Sequence, residues 1–426
     1  MNTPRALDDL RIIEWCDEKG AWAGKLLADM GAELIKIEPP GSGDATRQYG
    51  PFVDDSPHPE RSLWFWNYNT GKKSITLDLT CEQGQTLFKE LVKGADAVIE
   101  SQSPGLAESL GIDYRQVTAS NPRLIWLSMT SFGRHGARKD ELATDLTLLA
   151  GGGIAWMNGY DDHTLPPVRG GGNQGYHTGC HYGVLSLLVA LLHRDQTDEG
   201  QFIDVNFNAA INVTTEAGSF RWLVANQQVE RQTGRHAGLA PSNPSQVQCA
   251  DGRYVNLNFA ARTPAMFKVI HDWLGELDLL HSFEATELLR AGMDRGPITA
   301  EELRTEPKVR DMLTAAREAL IFIAKEIDAY DFFRYGQDHG LLVSIIYSPE
   351  EMIDDEHFQS RGMAVAVEHP ELDRTITYPG SPYKLSKTPW HITRRPPLAG
   401  EDNQEVYEAL GFSPDEIRSF TRDGVI

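Results

Sequence analysis

The chain has 426 residues, 41% of them hydrophobic and 24% charged, and a formal net charge of −21. That length suffices for two domains and a large core, and the composition is that of a soluble globular protein. The negative field excludes nucleic acid and anionic membranes as partners, and no apolar run reaches the roughly 18–20 residues that span a bilayer.

The opening "MNTPRALDDLRIIEW" lacks the uninterrupted apolar stretch of a secretion signal. Cys16, Cys81, Cys180 and Cys249 are widely spaced with no CxxC. They suit a reduced, cytoplasmic protein without disulfides or a four-cysteine zinc site. From there strand and helix signals alternate. "LRIIEW" reads as a short buried strand, "GAWAGKLLADMGA" as a helix and "ELIKIEPP" as a strand stopped by prolines. "KKSITLDL", "EQGQTLFKELVKGA" and "DAVIES" repeat the grammar, as do "LAESLGIDYRQVTASNP" and "RLIWLSMTSFG". Such alternation implies right-handed crossovers and a parallel, doubly wound α/β sheet. The first turn, "WCDEKGAWAG", is not GxGxxG, and Asp17 and Glu18 there repel a pyrophosphate. No dinucleotide is expected. An anionic small molecule would need local positive charge, which Lys72 and Lys73, or Arg134, Arg138 and Lys139, offer.

"GGGNQGYHTGCHYG" leads into "CHYGVLSLLVALLHR", a helix apolar most of the way round and therefore read as a core element. "GQFIDVNF" reads as a strand and "NAAINVTTEAGSFRWLVAN" as one helix. "VERQTGRHAGLAPSNPSQ" has the polar, Pro/Gly-rich texture of a linker, and "VQCADGRYVNLNF" that of a hairpin with an Asp-Gly turn. Residues 1–227 thus form the first part of a large domain and 228–330 a smaller α+β domain with linkers. Residues 331–426, closing with the helical "SPDEIRSF", return to the large domain.

Taken in order, "LLADMGAELIKIEPPGSGDATR", "GKKSITLDL", "ADAVIESQSPGLAESLGI", "NPRLIWLSMTSFGRHG", "ATDLTLLAGGG", "LPPV", "ALLHRDQTDEGQFIDV" and "LGFSPDEIRSFTRDGVI" resemble the class III CoA-transferases. That family includes formyl-CoA transferase, carnitine CoA-transferase and α-methylacyl-CoA racemase. The resemblance implies a Rossmann-like large domain built from both chain ends and two chains interlocked like linked rings. CoA thioesters and free carboxylic acids are the implied substrates, with no permanently bound cofactor. It further implies an aspartate in a glycine-flanked loop that carries the acyl group and then CoA covalently. A carboxylate suits that work because it forms a mixed anhydride that a thiolate opens.

The expected position of that aspartate, fourteen residues before Ala190, is Tyr176, and no Asp or Glu occurs from Gly170 to Arg194. Other family positions differ too: Pro39 replaces an arginine, Ser101-Gln102 an Asn-Phe pair, and Glu18 a glutamine or small residue. Asp145 keeps the acid before the "AGG" stretch, but Thr144 replaces the histidine that racemases pair with it, which disfavours racemisation. Candidate catalytic groups are therefore Asp145, His177 and Glu18, with Tyr176 as the degenerate loop position. Tyr176 either polarises a thioester carbonyl or closes a disused site; Asp145 is alternatively the N-cap of "LTLLAGG". Glu18, Lys19, Thr70, Lys72, Lys73, Ser101 and Gln102 fall where the family holds CoA. His177, Cys180 and His181 share a helix face, yet one helix alone does not surround a metal, and no metal is expected. Gly170 to Gly172 permit either a close backbone approach or a plain turn. Trp64, Phe65, Trp66 and Trp156 suggest a bulky acyl group or ordinary packing.

Three functions fit. In the first, the chain is a subunit of a heteromeric CoA-transferase whose homologous partner bears the aspartate, as in the benzylsuccinate CoA-transferase of anaerobic toluene degradation. In the second, it is a stand-alone acyl-CoA transferase, isomerase or hydrolase using Asp145, Glu18 or His177. In the third, it is a non-catalytic acyl-CoA binder.

Overall fold

The computed structural model describes residues 4–257 and 260–426. Contacts divide the chain into a larger unit (Met1–Trp156, Val168–Gln227, Ile353–Ile426) and a smaller one (Met157–Pro167, Gln228–Met352).

The larger unit holds six strands: β1 (Arg11–Trp15), β2 (Glu33–Glu38), β3 (Lys73–Thr76), β4 (Ala97–Glu100), β5 (Ile125–Thr130) and β6 (Phe202–Asn206). All pair in parallel, in the order β3-β2-β1-β4-β5-β6. The winding therefore reverses between β1 and β4, the switch point at which doubly wound sheets bind ligands. Because successive strand residues face opposite sides, Ile12, Leu34, Ile99 and Leu127 enter one core, shared with helices α1 (Ala21–Asp29) and Gln174–Thr197. Ile13, Ile35, Val98 and Trp126 enter the other, covered by the helix Glu82–Lys93 and the C-terminal Tyr407, Ile417 and Ile426. Burying each such side chain stabilises the fold by about 1.5–3 kcal/mol. Both chain ends belong to this unit: Tyr407 Oη donates to the Thr76 carbonyl and Asp78 N to the Val425 carbonyl, each at 2.8 Å.

An ionic seam crosses the first three strands. The fully buried Lys36 ammonium contacts Asp44 at 2.6 Å and Glu14 at 3.2 Å, and Lys72, equally buried, contacts the other Glu14 oxygen at 2.7 Å. Burial opposes the charge on Lys36, but Asp44, Glu14 and Glu38 outweigh it and raise its pKa. Arg47 grips Glu38 through Nε at 2.6 Å and Nη2 at 2.8 Å and lies over the Phe65 ring at 3.8 Å.

In the smaller unit, the strand Tyr254–Leu257 pairs antiparallel with Gln246–Gln248 and Val343–Ile345. Helices Pro264–Glu276, Thr286–Met293, Pro307–Ala324 and Ala329–Asp338 pack Phe267, Trp273, Leu320 and Phe332 into its core. Residues 331–352, read from sequence as part of the returning chain end, pack within this unit. Asn258 and Phe259, the end of the expected hairpin, lie outside the described residues.

Three local readings differ from the structure. The segment read as one helix after β6 is two, Phe207–Val213 and Ala217–Ala225, divided at Glu216 with φ 41°. There the Thr214 and Thr215 hydroxyls bond back to the Ile211 and Asn212 carbonyls at 2.7 Å, in competition with the helix ladder. The expected linker from Val229 contains a short hairpin, Glu230–Gln232 with Arg235–Gly238. The apolar helix Gln174–Thr197 is buried on one face only: Tyr182, Leu185, Val189 and Leu192 are exposed at helical spacing. No helix among the described residues is long and apolar enough to cross a membrane.

Candidate functional site

At the end of β1 the chain turns through Asp17-Glu18-Lys19-Gly20 into α1. The turn requires glycine, because a Cβ at Gly20 would lie 2.5 Å from Cys16 Sγ. Asp17 organises it. Its N–H donates to Ser101 Oγ at 3.0 Å, and Ser101 Oγ donates to its carboxylate at 2.7 Å. Lys19 pairs with the other Asp17 oxygen, and Gln102 Nε2, beyond β4, donates to the Trp15 carbonyl at 3.0 Å. The structure thus brings Glu18, Lys19, Ser101 and Gln102 together at the switch point.

The second wall is the start of the long helix. Asp145 is not the N-cap of its own helix, α2 (Asp145–Gly151), because Thr144 takes that place in a capping box with Thr147. Its carboxylate instead accepts from the N–H groups of Gly175 at 2.8 Å and Tyr176 at 3.1 Å, with Arg169 Nη1 at 3.3 Å on the other oxygen. An acid at a helix N-terminus satisfies orphan donors and suits the dipole. Asp145 thereby fixes the backbone of position 176 on the helix that becomes α3 (Gln174–Thr197). Gly179 packs so tightly on Phe207 that a Cβ there would fall 1.6 Å from the ring. A Cβ at Gly171 or Gly172 would meet nothing within 4 Å, one at Gly170 would lie 2.5 Å from the Gln174 side chain, and Gly172 has φ +74°, a conformation that favours glycine.

Tyr176 is 3% exposed, its ring 5.8 Å from that of Phe207. Its hydroxyl donates to Glu18 Oε1 at 3.4 Å. The same carboxylate binds the Tyr49 hydroxyl, which it pushes up to about 12. Burial and then Glu18 raise the Tyr176 phenol as well. Both phenols are therefore protonated donors at neutral pH. His177 stacks on Trp22 at 4.5 Å, and its Nε2 lies 2.9 Å from Tyr68 Oη. Burial and the neighbouring His181 pull His177 down to about 4, leaving an uncharged imidazole. His181 Nε2 accepts from Trp22 Nε1 at 3.2 Å, and Cys180 Sγ donates to the Lys19 carbonyl at 3.1 Å. Burial pushes that thiol up to about 12, so it is neither thiolate nor nucleophile. The His/Cys/His face is taken up by these contacts, and no group of three potential ligands forms a metal site among the described residues.

The remaining candidates lie elsewhere. Lys72 is sealed against Glu14 and the Ala21 carbonyl, and Thr70 bonds with Lys25 and Asp29. Lys73 bridges Glu33 at 2.8 Å and Glu405 at 2.7 Å at the start of β3, the end of the sheet opposite the switch point. Nor do Arg134, Arg138 and Lys139 offer free charge: Arg134 pairs with Glu100 and Glu108, Arg138 with Glu141, and Lys139 with Asp140. Sequence reasoning missed Tyr49, Trp22 and Tyr68. Tyr49 follows "GDATR" in the loop after β2, and a position beyond a strand's carboxyl end was the available signal. Trp64, one of the aromatics singled out, stacks on Tyr68 at 4.2 Å, whereas Phe65 and Trp66 are buried.

Comparison with known proteins agrees with this geometry. The sequence profile described as CoA-transferase family III matches residues 7–403. Succinyl-CoA:(R)-benzylsuccinate CoA-transferase subunit BbsE of Thauera aromatica is 27% identical over 98% of this chain and 97% of its own. Succinyl-CoA--D-citramalate CoA-transferase of Chloroflexus aurantiacus is 30% identical over 99% and 98%. The crystal structure of a CAIB/BAIF family protein from Brucella suis superposes with a TM-score of 0.78 at 24% identity, covering 96% of this chain and all of that one. A parallel sheet with this switch point, matched along nearly its whole length by such relatives, places the chain in CoA-transferase family III.

Proposed function

We propose that this chain is a subunit of a CoA-transferase that moves CoA between an acyl-CoA and a free carboxylic acid, and that a homologous partner chain supplies the nucleophilic aspartate. The observation that carries this reading is Tyr176: a buried phenol hydrogen-bonded to Glu18 stands at the head of the long helix, and the helix start offers no acid. In the partner, an aspartate oxygen attacks the thioester carbonyl, the C–S bond breaks, and CoA leaves as the thiolate. The thiolate then opens the mixed anhydride at the enzyme's acyl carbon, freeing the donor acid. The acceptor carboxylate attacks the enzyme thioester, and CoA returns to the new anhydride. This chain contributes fold, interlock and the switch-point crevice. The exposed apolar face of α3, with Trp222, Leu223 and Val224 also exposed, supports burial against a second, interlocked chain. The relative from Thauera aromatica is itself named as a subunit. Four free cysteines suit a reducing compartment, and we place the protein in the cytoplasm.

The test is reconstitution. The purified chain alone gives no CoA transfer from succinyl-CoA to a panel of acids, and activity arises on mixing with an aspartate-bearing homologue. Equal turnover by the isolated chain contradicts the proposal. One observation favours a second reading: Glu18 is a carboxylate of this chain that faces position 176. If it is the acyl carrier, the chain turns over unaided and Glu18→Gln abolishes that activity.

A further inference from the structure

α1 and α3 also wall a half-open cavity of about 400 Å³, with residues 379–383 and Trp390 on its other side. Leu26 of α1, Met30 just beyond it, Val184 and Leu188 of α3, and Trp390 make most of its surface apolar. Lys25 and Asp29 also border it, paired at 3.0 Å with side chains 5% and 2% exposed. Beside them the Tyr383 hydroxyl is buried, and its proton meets no acceptor. The Ser381 hydroxyl is placed to donate to its oxygen, Asp29 lies within electrostatic reach, and burial keeps it protonated.

We propose that this cavity binds a small, uncharged molecule with an apolar, ring-containing body and one hydrogen-bond acceptor, which takes up the Tyr383 hydroxyl. The volume falls in the range of about 300–1,000 Å³ typical of ligand sites, and a mostly apolar lining with few polar groups is their usual chemistry. Lys25 and Asp29 neutralise each other, so a charged ligand would be desolvated without a counter-charge. A buried phenol left without an acceptor is costly, and an acceptor-bearing ligand removes that cost. Trp22 and Trp390 border the space and suit a ring. Trp22 also stacks on His177, next to Tyr176, so an occupant touches the residue that supports the degenerate loop. The cavity is walled by this chain alone, although its rim residue Leu185 belongs to the exposed α3 face proposed above to meet a second chain.

Titration of the full chain with acetophenone, and with ethylbenzene as the same body without an acceptor, tests it by calorimetry or tryptophan fluorescence. Acetophenone binds saturably and about fivefold more tightly than ethylbenzene. Tyr383→Phe removes that preference, and Leu188→Trp, which fills the cavity, abolishes binding of both. Circular dichroism establishes that the variants are folded; if Leu188→Trp is not, the Tyr383→Phe result decides alone. Absence of saturable binding, equal affinity for the two probes in the unaltered chain, or a preference that survives in Tyr383→Phe overturns the proposal.

Discussion

Two clusters of charge built on the same strands are handled in opposite ways. In the seam across β1, β2 and β3, the ammonium groups of Lys36 and Lys72 and the carboxylates of Glu14 and Asp44 all face opposite charges, out of water. Four residues beyond Glu14, the half-buried Glu18 faces two phenols and, among the described residues, no cation. Charges that support the fold are neutralised where they are buried. The carboxylate left without a counter-ion sits at the switch point, where a ligand is expected.

Substitutions should separate these clusters. Lys36→Met leaves Glu14 short of one partner and Asp44 without its cation, and should destabilise the chain by about 3–5 kcal/mol in urea unfolding. Glu18→Gln should change stability by less than about 1 kcal/mol. A comparable loss from both would erase the distinction. Asp145→Ala removes the acceptor for two helix N–H groups and the partner of Arg169, and should cost about 1–2 kcal/mol.

The pH response sharpens the contrast further. His177 titrates near 4 in the fold against 6.5 when free. As pH falls between those values the unfolded chain takes up a proton and the native chain does not, so stability is lost on acidification. His177→Gln should flatten that window in unfolding curves recorded from pH 7 to 4. The smallest effect concerns Tyr49, held near 12 against an ordinary 10.0 by its hydrogen bond to Glu18. The stability it lends is complete below pH 10 and falls as pH rises toward 12. In Glu18→Gln its ultraviolet titration should move back toward 10.

Much of the fold was legible in the chain. Strands such as "RIIEW" and "ELIKIE" announce themselves by apolar runs between turn residues, and the strand–helix alternation implies the parallel sheet. Counting back from "ALLHR" pointed to Tyr176, which the structure places at the start of the long helix, beside Glu18. The ionic seam was not legible, because Glu14, Lys36 and Lys72 meet only through the register of neighbouring strands. For the same reason Lys72 looked available to a ligand. Tyr49 and Tyr68 reach the site through tertiary packing that no periodicity reports. The helix α3 looked buried all round because the face it leaves exposed in this chain is as apolar as the face it buries.

The covalent acyl group provides the most direct measurement. The reconstituted enzyme, incubated with an acyl-CoA and trapped with hydroxylamine, should yield a hydroxamate that peptide mass spectrometry maps to an aspartate of the partner chain and to no residue of this one. A hydroxamate on Glu18 would contradict the account.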